Sequence, residues 1–238
     1  MRSCALFDVD GTLLRGFIVQ SFPRYLADQG VISPLFADRI DEVVRSYSGG
    51  AADYRYAAEN VPSIYAEAIR GVEEAIVREH AEEYMRGHVP ASIHTYARDL
   101  VGVVRRKVDL VIALSGSPTE PIQFVKDLGF NQAYGSLFEA RDGVYTGKIL
   151  WNLILGERKA EYAKIIAKRH GFSLRRTAGF GDSDQDAQTM QLTGLPIALN
   201  PSDAMREICL ARGWRMYTTE TINVPEIAEL VAGLREAI

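Results

Sequence analysis

Short apolar runs, each followed by small or polar residues, recur along the chain. Runs of four or five apolar residues with such endings are typical of buried strands. Between them, apolar residues recur at spacings of three and four, which predicts amphipathic helices. Strands that alternate with helices favour an α/β fold with a doubly wound parallel sheet and right-handed crossovers. The predicted strands are Ser3–Phe7, Leu110–Leu114, Thr177–Phe180 and Leu195–Leu199, and the predicted helices include Thr95–Lys107, Glu120–Leu128 and Lys159–His170.

The interval from about Phe17 to Pro90 has a different pattern, because it is helical throughout and contains no convincing buried strand. A helical insertion after the first strand is most simply a cap domain. We therefore expect a catalytic core of residues 1–16 and 91–238 and a cap of residues 17–90, with linkers near Leu14–Phe17 and Val89–Ser92. The predicted cap helices are Pro34–Ser46, Ser63–Arg70 and Val72–Arg86, with a break at Ser48–Gly50 and a helix start at Val61–Ser63.

A hairpin is predicted within Leu137–Ile149, because Arg141-Asp142-Gly143 separates two segments with strand propensity. Such a hairpin is either a flap beside a site or a ribbon at the surface. The ribbon is the simpler interpretation.

The first predicted strand ends in Asp8-Val9-Asp10-Gly11-Thr12, two carboxylates one residue apart before a glycine. Alternate residues of an extended segment face the same way, roughly 7 Å apart, so Asp8 and Asp10 can address one small volume. An acidic turn after an edge strand is the alternative, since Asp and Gly are ordinary turn residues. Negative charge at the carboxyl edge of a sheet is costly unless a cation or a reaction uses it, which favours a functional role.

Two other predicted strands end in residues suited to the same site. The strand at 110–114 leads into Ser115-Gly116-Ser117-Pro118, a hydroxyl and amide-rich turn that can hold phosphate oxygens. The strand at 177–180 leads into Gly181–Asp186, which contains three more acids. Carboxylates gathered at one edge repel one another, and an oxygen-only ligand set favours Mg²⁺ over zinc.

Composition narrows the classes of function. The chain has 238 residues, 47% of them hydrophobic and 24% charged, with a formal net charge of -4, which disfavours nucleic acid as a partner. No apolar run reaches the roughly 20 residues that span a bilayer, so we expect no membrane segment and a cytoplasmic protein. Cys4 and Cys209 are interpreted as packing residues and not as a disulfide framework.

Together these segments resemble the haloacid-dehalogenase-like phosphohydrolase superfamily. The resemblance spans nearly the whole chain and is strongest to the phosphoserine-phosphatase-like branch, in which a helical cap is inserted into a Rossmann-like core after the first motif. It depends on D-V-D-G-T at Asp8–Thr12, L-S-G-S-P at Leu114–Pro118, the lysine at Lys159 and G-D-S-D-Q-D at Gly181–Asp186.

The resemblance implies a role for each matching residue. Asp8 would attack phosphorus and become an aspartyl phosphate, and Asp10 would protonate the leaving alcohol and then activate water. Carboxylate oxygens of Asp8 and Asp182 and the backbone carbonyl of Asp10 would bind Mg²⁺. The phosphoryl group would be bound by Ser115, the Gly116 N–H and Lys159. Asp186 and Asp184 would hold water or Lys159. Thr12 would stabilise the turn.

The presence of an acid at Asp10 is typical of phosphatases within this superfamily, so we expect a Mg²⁺-dependent phosphatase acting on a small phosphorylated metabolite. Two alternatives remain open: a phosphotransferase or phosphomutase of the same fold, and a non-catalytic phosphometabolite-binding protein. The sequence leaves the oligomeric state open.

Substrate specificity is the least determined property. Phosphoserine phosphatases place an acid shortly after the first motif, and Phe17 stands at that position here, which argues against phosphoserine. Six residues in the cap or directly before it are candidate cap contacts, although solvated or packing roles are the simpler interpretation: Arg15, Arg24, Arg45, Tyr54, Arg55 and Tyr56. The histidines fit no metal-binding spacing and are interpreted as surface or boundary residues: His80, His88, His94 and His170.

Overall fold

The computed structural model describes residues 2–87 and 90–236, so His88 and the predicted linker residue Val89 lie outside the described residues. Within that part, seven strands form one sheet in the order β4-β3-β2-β1-β5-β6-β7. Every neighbouring pair is parallel except β3 and β4. The strands are β1 (Arg2–Phe7), β2 (Leu110–Pro118), β3 (Gln132–Arg141), β4 (Val144–Trp151), β5 (Phe172–Gly181), β6 (Leu195–Leu199) and β7 (Arg215–Tyr217).

Helices connect the strands and cover the sheet. Four of them, α1–α4, lie between β1 and α5, and we call them the inserted helices. The helices are α1 (Ile18–Asp28), α2 (Pro34–Ser48), α3 (Tyr54–Ala68), α4 (Glu74–Gly87), α5 (Ala97–Arg105), α6 (Thr119–Ile122), α7 (Gly156–His170), α8 (Asp184–Met190), α9 (Asp203–Arg212) and α10 (Val224–Glu236), with a 3₁₀ helix at Gln123–Leu128.

Strand β1 occupies the centre of the sheet because its side chains are apolar on both faces. Phe7 points into one core layer and stacks on Phe180 of β5 with 4.0 Å between ring centroids. Cys4 and Leu6 point into the opposite layer, against α7. Both faces of β1 are therefore covered, as expected for a strand flanked by two parallel neighbours.

The predicted doubly wound α/β fold is confirmed, and all four predicted strands are present. Three of them are longer than expected: β1 starts one residue earlier, at Arg2, β2 continues through Ser115 to Pro118, and β5 extends from Phe172 to Gly181. Neither α1 nor β7 was predicted from the sequence, and β3 was predicted only from Leu137 onward, as part of the hairpin. The division into a core and a cap at residues 17 and 90 stays a prediction.

Helix α3 corrects the prediction that a helix starts at Val61–Ser63. The helix begins at Tyr54 and continues through Pro62 to Ala68. Proline has no N–H, so the carbonyl of Ala58, four residues earlier, loses its usual helical donor. The side-chain amide of Asn152 donates to that carbonyl at 2.7 Å, which supplies the missing hydrogen bond from outside the helix.

The predicted hairpin is formed by β3 and β4. Asp142 and Gly143 at its tip have φ values of 52° and 80°, as a tight hairpin turn requires. The hairpin is not a free surface ribbon, because the link between α3 and α4 lies against it. Gly71 N–H donates to the Tyr145 carbonyl, and Glu74 N–H donates to the Gly143 carbonyl.

Both cysteines are buried, and neither forms a disulfide within the described residues. Cys4 lies in β1 and Cys209 in α9, where each packs in a hydrophobic cluster. None of the helices in the described part of the chain is long and apolar enough to cross a membrane.

Candidate active site

The carboxyl edges of β1, β2 and β5 bring the predicted site residues together. Asp8 directly follows β1, Ser115 lies near the end of β2, and Asp182 directly follows β5. Lys159 reaches this edge from the first turn of α7. Because parallel strands present their carboxyl ends at one edge, residues far apart in sequence meet there.

Lys159 lies between two carboxylates. Its Nζ atom is 2.6 Å from Oδ1 of Asp8 and 2.7 Å from Oδ1 of Asp186, and all three side chains are at least nine-tenths buried. Burial lowers the pKa of Lys159, but the charges of Asp186 and Asp8 outweigh it and hold that pKa above its ordinary value. The lysine is therefore a fixed cation between the two acids.

Asp10 is held by one backbone and one side-chain donor. Its Oδ1 accepts from the Ile18 N–H at 2.8 Å, and its Oδ2 accepts from the Ser115 hydroxyl at 2.8 Å. Burial raises the pKa of Asp10, although these two hydrogen bonds oppose the shift. A carboxyl group with a raised pKa can hold a proton, as a general acid requires.

Thr12 joins the acids of two strands. Its hydroxyl lies 2.9 Å from Oδ2 of Asp8 and 3.0 Å from Oδ1 of Asp182. Because a hydroxyl carries one proton, it donates to one of these two carboxylates at a time. Gly11 makes this approach possible. Its φ is +83°, and a Cβ atom there would lie 2.7 Å from Cγ of Asp182.

Three carboxylates crowd together at this point. Asp8, Asp182 and Asp186 each offer an oxygen, and the three oxygens lie within 4.8 Å of one another. Burial and the Asp186 charge raise the pKa of Asp8 to about 7, against the opposing effect of Lys159. Burial, Asp186 and Asp8 raise the pKa of Asp182 well above its ordinary range. If all three acids were ionised, they would carry more negative charge than Lys159 balances, and their oxygen donors fit a hard divalent cation.

Asp186 accepts more of the described hydrogen bonds than Asp8 or Asp182 does. Oδ1 accepts from Lys159, and Oδ2 accepts from the Ser183 hydroxyl at 2.6 Å and the Ser183 N–H at 3.1 Å. Burial raises its pKa, but Lys159 outweighs burial and the pKa is lowered. Asp184 does not bond to Lys159, and it accepts instead from the Gln185 amide at 2.8 Å.

Gly116 and its neighbours form the wall beside these acids. The Gly116 carbonyl accepts from the Ser136 hydroxyl at 2.6 Å, and the Ser117 N–H donates to Ser115 Oγ at 3.0 Å. A Cβ atom on Gly116 would lie 3.0 Å from Cα of Ile154, so the segment before α7 packs directly on this glycine.

The candidate cap contacts are mostly engaged with other groups. Arg24 pairs with Asp38 at 2.8 Å, and Arg55 pairs with Glu157 at 2.8 Å. Tyr54 donates to a backbone carbonyl of the core. The others are Arg15 and Arg45, which donate to the carbonyls of Ala91 and Asp41, and Tyr56, which is exposed.

Within the described residues, no histidine belongs to the cluster of Asp8, Asp182 and Asp186. His170 bonds to the Tyr134 hydroxyl at 2.6 Å, and His80 lies near an acid of its own helix. The prediction of a surface or boundary position is wrong for His94, which is buried and stacks on the Tyr96 ring at 5.2 Å.

Sequence reasoning missed Tyr96, which supports the turn of the first motif. Its hydroxyl donates to the Thr12 carbonyl at 2.5 Å and accepts from the Asn200 side chain at 2.8 Å. Asn200 adopts a positive φ of 49° directly after β6. An asparagine directly after a predicted strand, a residue type that tolerates positive φ, is the one signal in the sequence for this contact.

The sheet topology and this edge of carboxylates, lysine and hydroxyls define an α/β protein with an enzyme-like site. The chain belongs to the haloacid dehalogenase-like hydrolase family, which matches residues 5–191. This confirms the predicted family, and with it the prediction of a hydrolase.

Three similar proteins extend the family assignment. The chain is 26% identical over 225 residues to a phosphoserine phosphatase of Mycobacterium tuberculosis, with 91% of this chain and 70% of that protein covered. It is 24% identical over 220 residues to a histidinol-phosphatase of Neisseria meningitidis, covering 90% and 97%. A crystal structure of a protein of unknown function from Bordetella pertussis has a TM-score of 0.76 and 27% identity, covering 92% of this chain and 99% of that one.

Proposed function

We propose that this chain is a Mg²⁺-dependent phosphatase that hydrolyses a small-molecule phosphomonoester through an aspartyl phosphate on Asp8. The observation that carries the proposal is the environment of Asp8, a buried carboxylate with Lys159 at 2.6 Å and the acids Asp182 and Asp186 close by. The phosphatase names of the relatives in Mycobacterium tuberculosis and Neisseria meningitidis support it.

The donor set supports Mg²⁺ as the cation. Asp182 shares the Thr12 hydroxyl with Asp8, whose other oxygen is paired with Lys159, so Asp182 is the least neutralised acid of the cluster among the described contacts. We propose that these two carboxylates and the backbone carbonyl of Asp10 hold the ion. When bound, Mg²⁺ supplies positive charge next to the phosphoryl oxygens, which a carboxylate nucleophile must approach.

Asp8 is the proposed nucleophile. Its carboxylate oxygen forms a bond to phosphorus while the bond from phosphorus to the ester oxygen breaks. Lys159 fixes the orientation of the carboxylate, and we propose that it also binds the phosphoryl oxygens together with Ser115 and the Gly116 N–H.

Asp10 is the proposed general acid and base. The proton that its raised pKa favours passes to the leaving oxygen and releases the alcohol. Asp10 then accepts a proton from water as that water attacks phosphorus, and the Asp8–phosphorus bond breaks to release phosphate. Asp10 is protonated again at the end of the cycle.

The substrate is proposed to be a small phosphomonoester other than phosphoserine. Phe17, which stands at the position of the expected acid, is 56% exposed and lines an open cavity of about 480 Å³ with Ser21 and Tyr84. The relatives are named for two different substrates at similar identity, so likeness alone does not select one. The inserted helices are proposed to act as the cap of this site, and the cytoplasmic location stays a prediction.

Hydrolysis of a panel of phosphate esters, beginning with a generic aryl phosphate, tests the proposal. We expect activity with Mg²⁺, loss of activity with chelator, and no activity in Asp8→Asn. Activity that survives in Asp8→Asn would contradict the nucleophile assignment. Phosphate that appears on an added alcohol in preference to water would favour a transferase, and a folded protein that hydrolyses no ester would favour a binding protein.

A further inference from the structure

The amino-terminal half of α3 is joined to residues 152–157, which comprise the link between β4 and α7 and the first two residues of α7. The Tyr54 hydroxyl donates to the Ile154 carbonyl at 2.8 Å, and the Asn152 amide donates to the Ala58 carbonyl at 2.7 Å. The second acceptor exists because Pro62 leaves Ala58 without its helical donor. These bonds connect one of the inserted helices to the core.

The segment held by Tyr54 forms part of the candidate active site. Ile154 packs on Gly116 so closely that a Cβ atom on that glycine would lie 3.0 Å from Ile154 Cα. Two residues after Ile154, α7 begins at Gly156, and its first turn carries Lys159. A shift of Ile154 would therefore move both the glycine wall and the lysine.

The hydroxyl of Tyr54 is suited to a lasting hydrogen bond. Burial and the nearby Asp186 carboxylate raise the pKa of Tyr54, so the phenol stays protonated and donates at neutral pH. The adjacent ion pair of Arg55 with Glu157 is exposed on both sides and contributes little.

We propose that Tyr54 is a positioning residue, whose hydroxyl bond to Ile154 keeps Gly116 and Lys159 in place and holds the inserted helices closed over the phosphate site. The hydrogen bond between Tyr54 and Ile154 is observed in the structure, and its effect on KM and on phosphate inhibition rests on the proposed function. Tyr54 acts through Ile154 and takes no part in the chemical steps.

Tyr54→Phe tests the proposal because it removes one oxygen and keeps the ring. Tyr56→Phe is the matched control, since Tyr56 lies two positions along the same helix with an exposed side chain. We expect Tyr54→Phe to raise KM for an aryl phosphate and the inhibition constant of inorganic phosphate by about three- to ten-fold each, the value of one hydrogen bond. The control is expected to match the wild type in both constants.

Amide hydrogen exchange gives a second readout that needs no activity. We expect Tyr54→Phe to exchange faster than the wild type and Tyr56→Phe in residues 54–58 and 152–157, with the central strands unchanged. If the wild type hydrolyses no ester, the proposed function fails while exchange still tests the contact.

Two results would overturn the proposal. One is that Tyr54→Phe has the same amide exchange rates and the same inhibition constant for inorganic phosphate as Tyr56→Phe. The other is a lower kcat with unchanged KM and a lower melting temperature, which would indicate a smaller folded fraction. If Tyr54→Phe does not fold, Asn152→Ala applies the same test to the hydrogen bond between Asn152 and Ala58. Amide exchange in residues 54–58 that is unchanged in this variant would contradict the proposal.

Discussion

Lys159 Nζ lies 2.6 Å from Oδ1 of Asp8, although 151 positions separate the two residues in the chain. The pair is buried, and Asp186 accepts from the same ammonium group. Removing one member of a buried ion pair leaves the other charge without a partner in an environment that water solvates poorly. Lys159 is therefore expected to matter for both activity and stability.

Lys159→Met removes the charge and keeps a chain of similar length. We expect kcat/KM for an aryl phosphate to fall at least about 100-fold, the scale for losing one preorganised cationic or hydrogen-bond donor in an active site. Because Asp8 and Asp186 then face each other unpaired, the free energy of unfolding in chelator should fall by about 3 kcal/mol. Urea unfolding and steady-state kinetics measure the two effects.

Lys164→Met is the matched control, because Lys164 lies on the same helix with an exposed side chain. It should leave both quantities within error of the wild type. Nearly normal kcat/KM in Lys159→Met would remove the lysine from the proposed site.

Gly11→Ala tests the close approach of the first motif to Asp182. The new Cβ would lie 2.7 Å from Cγ of Asp182, so the carboxylate must move away from Asp8. We expect the Mg²⁺ concentration that gives half-maximal activity to rise at least several-fold, as measured by metal titration.

Gly30→Ala separates this clash from backbone strain. Gly30 also has a positive φ, of +74°, but has nothing within 4 Å of the position of a new Cβ. Both variants should lose about 1–2 kcal/mol of stability from the left-handed backbone, and only Gly11→Ala should change the metal dependence. Equal metal dependence in the two would contradict the role given to Gly11.

Asp182→Asn distinguishes charge repulsion from metal binding. Because burial, Asp186 and Asp8 raise the pKa of Asp182, its ionised form destabilises the metal-free folded protein at neutral pH. Asn removes that charge, so in chelator the variant should melt at or above the wild-type temperature. Mg²⁺ should raise the melting temperature of the wild type and leave that of the variant unchanged. A similar rise in both proteins would place the ion elsewhere.

The centre of the fold could be predicted from the sequence because its strands are buried on both faces. Leu195–Leu199 was predicted with the bounds that β6 has. Other elements lack such a pattern: β7 has one exposed and two half-buried residues, and α1 contains Pro23, a residue that normally argues against a helix. Pro62 suggested a helix start, but α3 continues through it because Asn152, which is distant in sequence, donates to the carbonyl that Pro62 leaves without a donor.

The acidic part of the candidate site could also be predicted, since carboxyl ends of parallel strands meet at one edge. Asp8 and Asp182 come together for that reason, and Lys159 joins them from the first turn of α7. Tyr54 and Tyr96 could not be predicted as supports, because each bonds to a backbone carbonyl far away in the chain. A tyrosine that makes such a bond has the same local sequence pattern as one in solvent.

Trapping the covalent intermediate tests the central claim most directly. The enzyme is mixed with an aryl phosphate and Mg²⁺, quenched in acid within one turnover and reduced with borohydride, which converts an aspartyl phosphate to homoserine. The tryptic peptide of residues 3–15 contains both Asp8 and Asp10, and fragmentation in the mass spectrometer tells them apart. Homoserine at position 8, absent without substrate, is the expected result. Homoserine at position 10, or hydrolysis with no modified aspartate, would contradict Asp8 as the nucleophile.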